Sequence, residues 1–371
     1  MEHRQAMPNA TSNNAPPPAA KLTNLDFRPP TLGGYRPKVG LIGCGGITGY
    51  HLDAYKNAGL QVVALCDLDP EKAKDRAKTY YPEAKILTNH LDLLADEEIE
   101  VVDVATHPKE RVAIIRDALE RRKHVLSQKP FVLDLNVGRD LVELAHSRDC
   151  RLAVNQNARW APHFSLGRVA VEQGLLGDVF AVHMGCHWDH TWVAGTEFEN
   201  IKHLVLYDYA IHWFDMVRCY LGGAEARRVF ASTARAPGQS LMPSLLGQAL
   251  IEFDDAQSTL SFDAAVNHGP LEETFVAGTN ASFHSTGTGN NDQTCYLSID
   301  GGTWSPELSG RWFPDGFQGT MSELVLAIEE GRPSQIDASD NLHSLALCFA
   351  AIHSAETGTP VRPYEVVRCP E

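Results

Sequence analysis

Lys129 closes the run His124-Val125-Leu126-Ser127-Gln128-Lys129-Pro130, a short apolar strand that ends on a cation. In an open α/β sheet, ligands bind outside the carboxyl ends of the strands. An ammonium placed there would stabilise an alkoxide forming from a substrate hydroxyl. Farther on, apolar residues at 211, 214, 217 and 221 have helical spacing, which sets Asp208 and His212 four apart on one face. A histidine suits removal of a hydroxyl proton, and a carboxylate beside it can orient it and raise its basicity. Taken singly, Lys129 also fits a surface lysine at a strand end. Asp208 and His212 also fit a pair supporting an exposed helix.

A second constellation lies upstream. The run Lys38-Val39-Gly40-Leu41-Ile42-Gly43-Cys44-Gly45-Gly46-Ile47-Thr48-Gly49 reads as a strand entering a glycine-rich turn and then a helix. Asp67 follows the next apolar run, Gln61 to Cys66. This is the order that a dinucleotide site needs. Gly43 permits the tight turn, and Gly45 keeps side chains away from the pyrophosphate. The helix from Ile47 aims unpaired N–H groups at the phosphates, and Asp67 accepts from the adenosine ribose. The third fingerprint glycine is expected at Thr48; Gly49 comes one residue late. Asp67 would repel a 2′-phosphate and no arginine immediately follows it, so NAD is expected over NADP.

Asn155-Gln156-Asn157-Ala158-Arg159-Trp160 follows the last strand of this half, either entering the crevice or forming a polar hinge. Amides, a guanidinium and an indole suit a polyhydroxylated ligand. Five histidines (183, 187, 190, 203 and 212) cluster in the next stretch. A metal site built on His187, Asp189 and His190 is conceivable, but in a strand an i,i+3 pair points to opposite faces. Substrate contacts from a loop are favoured, and no metal is expected.

The elements that must position these groups form two domains. From 37 to 156, short strands (38–42, 61–66, 85–87, 101–105, 124–128, 151–155) alternate with helical patterns (47–58, 70–80, 109–122, 135–148), giving a doubly wound parallel sheet. Residues 157–371 begin with a helix near 162–174 and continue with alternating runs at 179–186, 248–253 and 258–263. Helices near 317–330 and 339–357 follow. This reads as an α+β domain with an open, mostly antiparallel sheet, helices on one face, for substrate binding and oligomerisation. Residues 1–36, rich in Pro, Asn and Ala, read as a disordered tail or an arm on a neighbouring subunit.

Bulk properties narrow the function. The 371 residues carry a net charge of −15, which argues against nucleic acid. Apolar runs are far shorter than the roughly 20 residues a bilayer helix requires. Eight scattered cysteines without a C-x-x-C pair read as reduced thiols, suited to a cytoplasm.

Taken together, the glycine turn, Asp67, Gln128-Lys129-Pro130 and Asp208-x-x-x-His212 resemble the glucose–fructose oxidoreductase / inositol dehydrogenase / MocA (Gfo/Idh/MocA) family over about residues 37–365. The resemblance implies a Rossmann domain, then an open sheet that shapes the substrate pocket and makes the oligomer interface. It implies Lys129, Asp208 and His212 as the catalytic trio, with His212 moving the proton, Asp208 its partner and Lys129 holding the alkoxide. Cofactor contacts would come from Gly43, Gly45, Gly46, Ile47, Asp67, Thr106, Gln128 and Lys129. Asn157, Arg159, Trp160, Asp189 and His190 would hold the substrate. Gln128 replaces the family's usual acid, Arg111 a common histidine, and Arg122 a helix-ending glycine. The expected activity is NAD-dependent hydride transfer at a secondary hydroxyl of a sugar, polyol or sugar derivative, in a homodimer or homotetramer. Two alternatives stand beside it: an NAD-retaining glycoside hydrolase or lyase working by transient oxidation, and a non-enzymatic dinucleotide sensor.

Overall fold

The computed structural model describes residues 25–370. In the first half the strands are β1 (Lys38–Ile42), β2 (Gln61–Cys66), β3 (Lys85–Leu87), β4 (Ile99–Val104), β5 (His124–Ser127) and β6 (Leu152–Val154). They form a six-stranded parallel sheet in the order β3-β2-β1-β4-β5-β6. The helices are α1 (Thr48–Asn57), α2 (Pro70–Tyr80), α3 (His90–Leu94), α4 (Pro108–Glu120) and α5 (Leu135–Ser147). Asp69 caps α2 by accepting from Glu71 N–H, ahead of Pro70, as its N-cap spacing anticipates. The short helix α3 has no periodic signature and was not anticipated. Val101, Val102 and Val104 of β4 are fully buried, as a strand covered on both faces requires.

A 3-10 turn, Asn157–Trp160, leads into α6 (Pro162–Glu172) and the second sheet. Its strands are β7 (Val179–His187), β8 (Arg228–Ala234), β9 (Leu246–Glu252), β10 (Gln257–Asp263), β11 (Leu271–Gly278), β12 (Ala281–Gly287), β13 (Gln293–Ile299) and β14 (Gly302–Trp304). They align as β14-β13-β12-β11-β7-β10-β9-β8, antiparallel throughout except for the parallel pair β7–β10. Helices α6, α7 (Ile211–Tyr220) and α9 (Ala338–Thr357) cover its inner face. On the outer face, Phe230, Leu250, Thr259, His183, Phe275, His284 and Tyr296 form one transverse row in register. Phe230, Leu250 and Phe275 are each about 40% exposed.

The last two helices tie the halves together. Helix α8 (Trp312–Glu329) packs on α1 and on the 157–160 turn, and α9 packs on α5, α7 and β8. The link between them, at Ile336 and Asp337, bonds to the β6 edge of the first sheet. After α9 the chain pairs Val361 with Val229 of β8 and then returns to the first domain. There Val367 O accepts from Leu135 N–H at 2.8 Å and Cys369 N–H reaches Leu133 O at 2.9 Å.

Of the segment expected as a tail or arm, residues 1–24 lie outside the described residues. Residues 25–36 depart from that expectation. Leu25 and Leu32 are buried, and the Gly34 and Tyr35 N–H groups both donate to Glu329 Oε1, at 2.8 and 3.0 Å. Two buried apolar side chains and the surface carboxylate of Glu329 hold this stretch on its own chain.

Candidate active site

The glycine turn is built to expose backbone. Gly43 has φ +92°, and a Cβ there would meet the Ala105 carbonyl carbon at 2.9 Å. Gly45 and Gly46 have nothing within 4 Å of a Cβ position, so open space lies over the turn. Ile47 occupies the N-cap of α1 without a side-chain cap, and the Thr48 and Gly49 N–H groups make only long bonds, 3.3 and 3.4 Å, to the Gly45 and Gly46 carbonyl oxygens, so the positive end of the helix faces the turn. Asp67 accepts from Cys44 N–H at 2.7 Å on one oxygen and from Asp69 N–H at 2.9 Å on the other. Each oxygen keeps a further lone pair facing a cleft of about 1430 Å³ that Gly43, Gly45, Asp67, Thr106 and Tyr207 line. The Thr106 hydroxyl is buried without a partner. These residues fit a dinucleotide. Glu197 and residues 200–203 also line the cleft, where Glu197 pairs with His107 at 2.9 Å.

Beyond Tyr207 the catalytic candidates converge, with a changed pairing. Val205–Tyr209 is a π-helical turn in which Ala210 N–H reaches back five residues to Val205 O at 2.9 Å. The wider turn removes the simple i,i+4 stacking that the sequence spacing suggests. Asp208 therefore turns to Lys129, whose Nζ lies 3.0 Å from its Oδ1 and 2.9 Å from its carbonyl oxygen. His212 instead meets Gln156, with Nδ1 to Oε1 at 3.1 Å. As oriented, the ring donates from Nδ1 and keeps a lone pair on Nε2. Burial, then the Lys129 charge, pushes the His212 pKa well below 6.5. His190 stacks on Tyr209 (4.0 Å between ring centroids) and lies 4.7 Å from the Trp188 ring. Burial lowers its pKa to about 4, against the opposing pull of Asp208 and Asp189.

Several expected contacts fall elsewhere. Arg159 points inward: its Nε and Nη2 bind Asp215 at 2.6 and 2.7 Å, Nη2 also meets Asp340 at 2.8 Å, and Nη1 meets Gln335 O. Buried Asp215 demands that guanidinium as its counter-charge, so Arg159 is not a substrate ligand. Trp160 is buried under Gly319, where a Cβ would clash with its ring at 2.2 Å. Asn157 is buried and accepts from Trp312 Nε1 at 2.7 Å. The exposed Asp189 accepts from Thr191 N–H at 2.8 Å, capping a turn away from Lys129. Gln128 faces the interior, as described below. The other histidines disperse: His183 to Thr259, His187 to Asp263, His203 to Glu356.

The sequence passed over Gln156, Trp188 and Tyr209. Gln156 and Tyr209 were visible inside the motifs already singled out. Nothing in the spacing marked Trp188.

Residues 37–156 match the model of the oxidoreductase family with NAD-binding Rossmann fold, and residues 166–284 match the GFO/IDH/MocA C-terminal domain. The chain belongs to the Gfo/Idh/MocA family and is an NAD-binding oxidoreductase. Among its relatives, the D-apiose dehydrogenase of Rhizobium rhizogenes is 25% identical over 349 residues, covering 87% of this chain and 96% of that protein. The inositol 2-dehydrogenase of Rhizobium meliloti is 25% identical over 329 residues, covering 85% and 96%. An oxidoreductase from Agrobacterium radiobacter, solved with NAD+, L-tartaric acid and magnesium, superposes with a TM-score of 0.80 at 22% identity over 88% of this chain and 98% of that one.

Proposed function

We propose that this chain is a dehydrogenase that interconverts a secondary hydroxyl and a ketone on a neutral sugar or polyol. One observation carries the substrate class. Gln156 Nε2, Trp188 Nε1, His190 Nδ1 and the Tyr209 hydroxyl are buried polar atoms without partners among the described residues; Gln156 bonds His212, and Trp188 and Tyr209 flank His190, which feels the Lys129 charge. Buried polar groups are almost always satisfied, so this set calls for hydroxyls from a ligand. The nearby arginines are already committed: Arg159 and Arg218 to Asp215 and Asp340, and Arg168 to Glu172. Arg111, behind Lys129, has no carboxylate partner but spends its N–H groups on the Thr106, Gln128 and Pro130 carbonyl oxygens, so among the described residues none of these four guanidinium groups faces a substrate carboxylate or phosphate.

When bound, the nicotinamide supplies the hydride acceptor. The chain manages the proton. Two of the three Lys129 N–H groups are spent on Asp208, and the third is directed at the substrate oxygen, where it stabilises developing negative charge. His212, kept neutral by burial, takes the hydroxyl proton on Nε2 while Gln156 holds Nδ1–H. The Asp67 carboxylate disfavours a 2′-phosphate. Arg76, the nearest cation to the turn, donates to the Gly45 and Gly46 carbonyl oxygens instead.

A panel of sugars and polyols, run with NAD and NADP and followed at 340 nm, tests the reading. Multiple turnovers on neutral polyols, with NAD preferred, are expected. Turnover confined to sugar acids or phosphates overturns the substrate class, and equal use of NADP overturns the Asp67 argument. Reduced cofactor in single-turnover amount points to an NAD-retaining hydrolase or lyase, and binding without turnover to a sensor.

The outer row from Phe230 to Tyr296 is the surface for a second copy of the chain, giving a dimer or tetramer. A monomer by light scattering at micromolar concentration sinks that. All eight cysteines are free thiols, which supports a reducing, cytoplasmic compartment. Among the described residues no helix is long and apolar enough to cross a membrane.

A further inference from the structure

The turn that carries Lys129 is gripped from behind by groups outside the reacting centre. Gln128 follows the end of β5, where ladder bonds stop. Its side chain folds back so that Oε1 accepts from Lys129 N–H at 2.7 Å. Its Nε2 then faces His51 Nε2 at 3.0 Å. An amide nitrogen has only hydrogens to give, so His51 Nε2 is the acceptor and its proton sits on Nδ1. That proton goes to Asp103 Oδ2 at 2.7 Å, which also accepts from the Tyr55 hydroxyl at 2.6 Å. Asp103 and His51 are fully buried and Gln128 nearly so.

The second grip is Arg111. Its Nη1 donates to the Gln128 and Pro130 carbonyl oxygens, on either side of Lys129, and its Nε and Nη2 donate to Thr106 O in the cofactor cleft. Arg111 is buried and has no ion-pair partner among the described residues. Burial lowers its pKa to about 10, so it stays charged at neutral pH. A single guanidinium thus fixes both peptides around the lysine and ties them to the floor of the cleft.

We propose that Asp103, His51, Gln128 and Arg111 are positioning residues that hold the Lys129 backbone, and that the chain requires an amide at position 128. The donor–acceptor sequence runs one way. Lys129 N–H gives to the amide oxygen, the amide N–H gives to the imidazole, and the imidazole N–H gives to Asp103. An amide accepts at one end and donates at the other, which an ionised carboxylate of the same length cannot do. A glutamate at 128 sets a carboxylate oxygen against the lone pair of His51 Nε2, a clash relieved when one proton enters between them, on the carboxylate or on the ring. The groups facing that ring are Asp103 from β4, Tyr55 from α1, Gln128 itself and, beyond Asp103, the Arg111 charge; Phe317 of α8 is apolar. The service to catalysis rests on the reading of Lys129 given above; the chain of hydrogen bonds does not.

The test uses Gln128→Glu, with Gln128→Met as an apolar variant of similar length and Arg111→Lys as a point charge that cannot span three carbonyls. Melting temperature against pH reads the buried chain without turnover. Gln128→Glu is expected to fall below the wild type at pH 9 and to recover toward it at pH 6, whereas the deficit of Gln128→Met stays constant. Steady-state kinetics read the lysine. All three variants are expected to lose about 10–100-fold in kcat, as a small misplacement of a reacting group does, with KM and the NAD Kd within about threefold. A pH-independent deficit in Gln128→Glu overturns the hydrogen-bond chain. A normal kcat in Gln128→Met and Arg111→Lys overturns the positioning role. If Lys129→Ala itself keeps full kcat, the catalytic assignment of Lys129 fails, while the melting result still decides the buried chain.

Discussion

Asp208 and Asp215 lie seven residues apart, the first in the π-helical turn and the second in α7, and each meets a cation brought from the first half of the chain. Asp215 meets Arg159 in a closed cluster: Arg159 spans Asp215 and Asp340, Arg218 holds Asp340 at 2.7 Å, and Ser344 donates to Asp215 at 2.9 Å. The Lys129–Asp208 pair is left open, with a free ammonium proton and unpartnered polar atoms around it. Both clusters set an aspartate against a basic side chain below the surface, the closed one deeper. What separates them is saturation: the first has spent its hydrogen bonds on folding, and the second has kept some in reserve.

The sharpest break comes from the open pair. His212→Ala and Lys129→Ala should each lower kcat by about 10²–10⁴ while the NAD Kd, read by fluorescence, barely moves. Comparable loss of NAD binding would show that these residues build the cleft instead. The closed cluster should respond in the opposite way. Arg159→Ala leaves buried Asp215 unpaired and is expected to cost about 3–5 kcal/mol by denaturant unfolding, with kcat per folded molecule nearly kept.

Acid distinguishes them again. His190 and His212 are neutral when folded, and their folded pKa values lie below the unfolded 6.5. The unfolded chain therefore binds more protons below pH 6.5, and stability drops as pH falls from there toward about 4. The same shift moves the acid limb of kcat/KM for oxidation below 6.5, and a limb centred at 6.5 or above contradicts a buried, neutral His212. The smallest effect is a control remote from both clusters. Arg122 sits at φ +57°, in the place of the family's glycine, so Arg122→Gly should gain about 1 kcal/mol in stability with kcat unchanged.

Local patterns made the first sheet readable, because each strand there is a short apolar run between helical repeats. The second sheet was half visible: β7, β9 and β10 alternate cleanly. By contrast β11–β13 carry buried polar residues such as Glu272, Thr274 and Ser285 on the inner face, which blurs the period. At the site, Lys129, Asp208 and His212 were legible from strand-end and helical spacing. Their pairing was not, because a π-helical turn leaves no sequence period. Arg159 looked like a ligand because a guanidinium after a strand has the same appearance whether or not an aspartate 56 residues later claims it. Asp103 did leave a sign, a lone carboxylate in the apolar strand Val101-Val102-Asp103-Val104.

The return of the chain end to Leu133–Leu135 limits how this molecule can breathe. Residues 34–35 on Glu329, residues 336–337 on the β6 edge and residues 367–369 on the first domain are three stitches between the halves, far apart around their seam. A hinge needs a seam free on one side, and this seam is sewn on several. Access to the crevice then falls to the 197–203 segment, whose contact across the cleft is the exposed His107–Glu197 pair. That contact is one exposed side-chain pair, so opening it asks for local motion of this segment and leaves the three stitches in place.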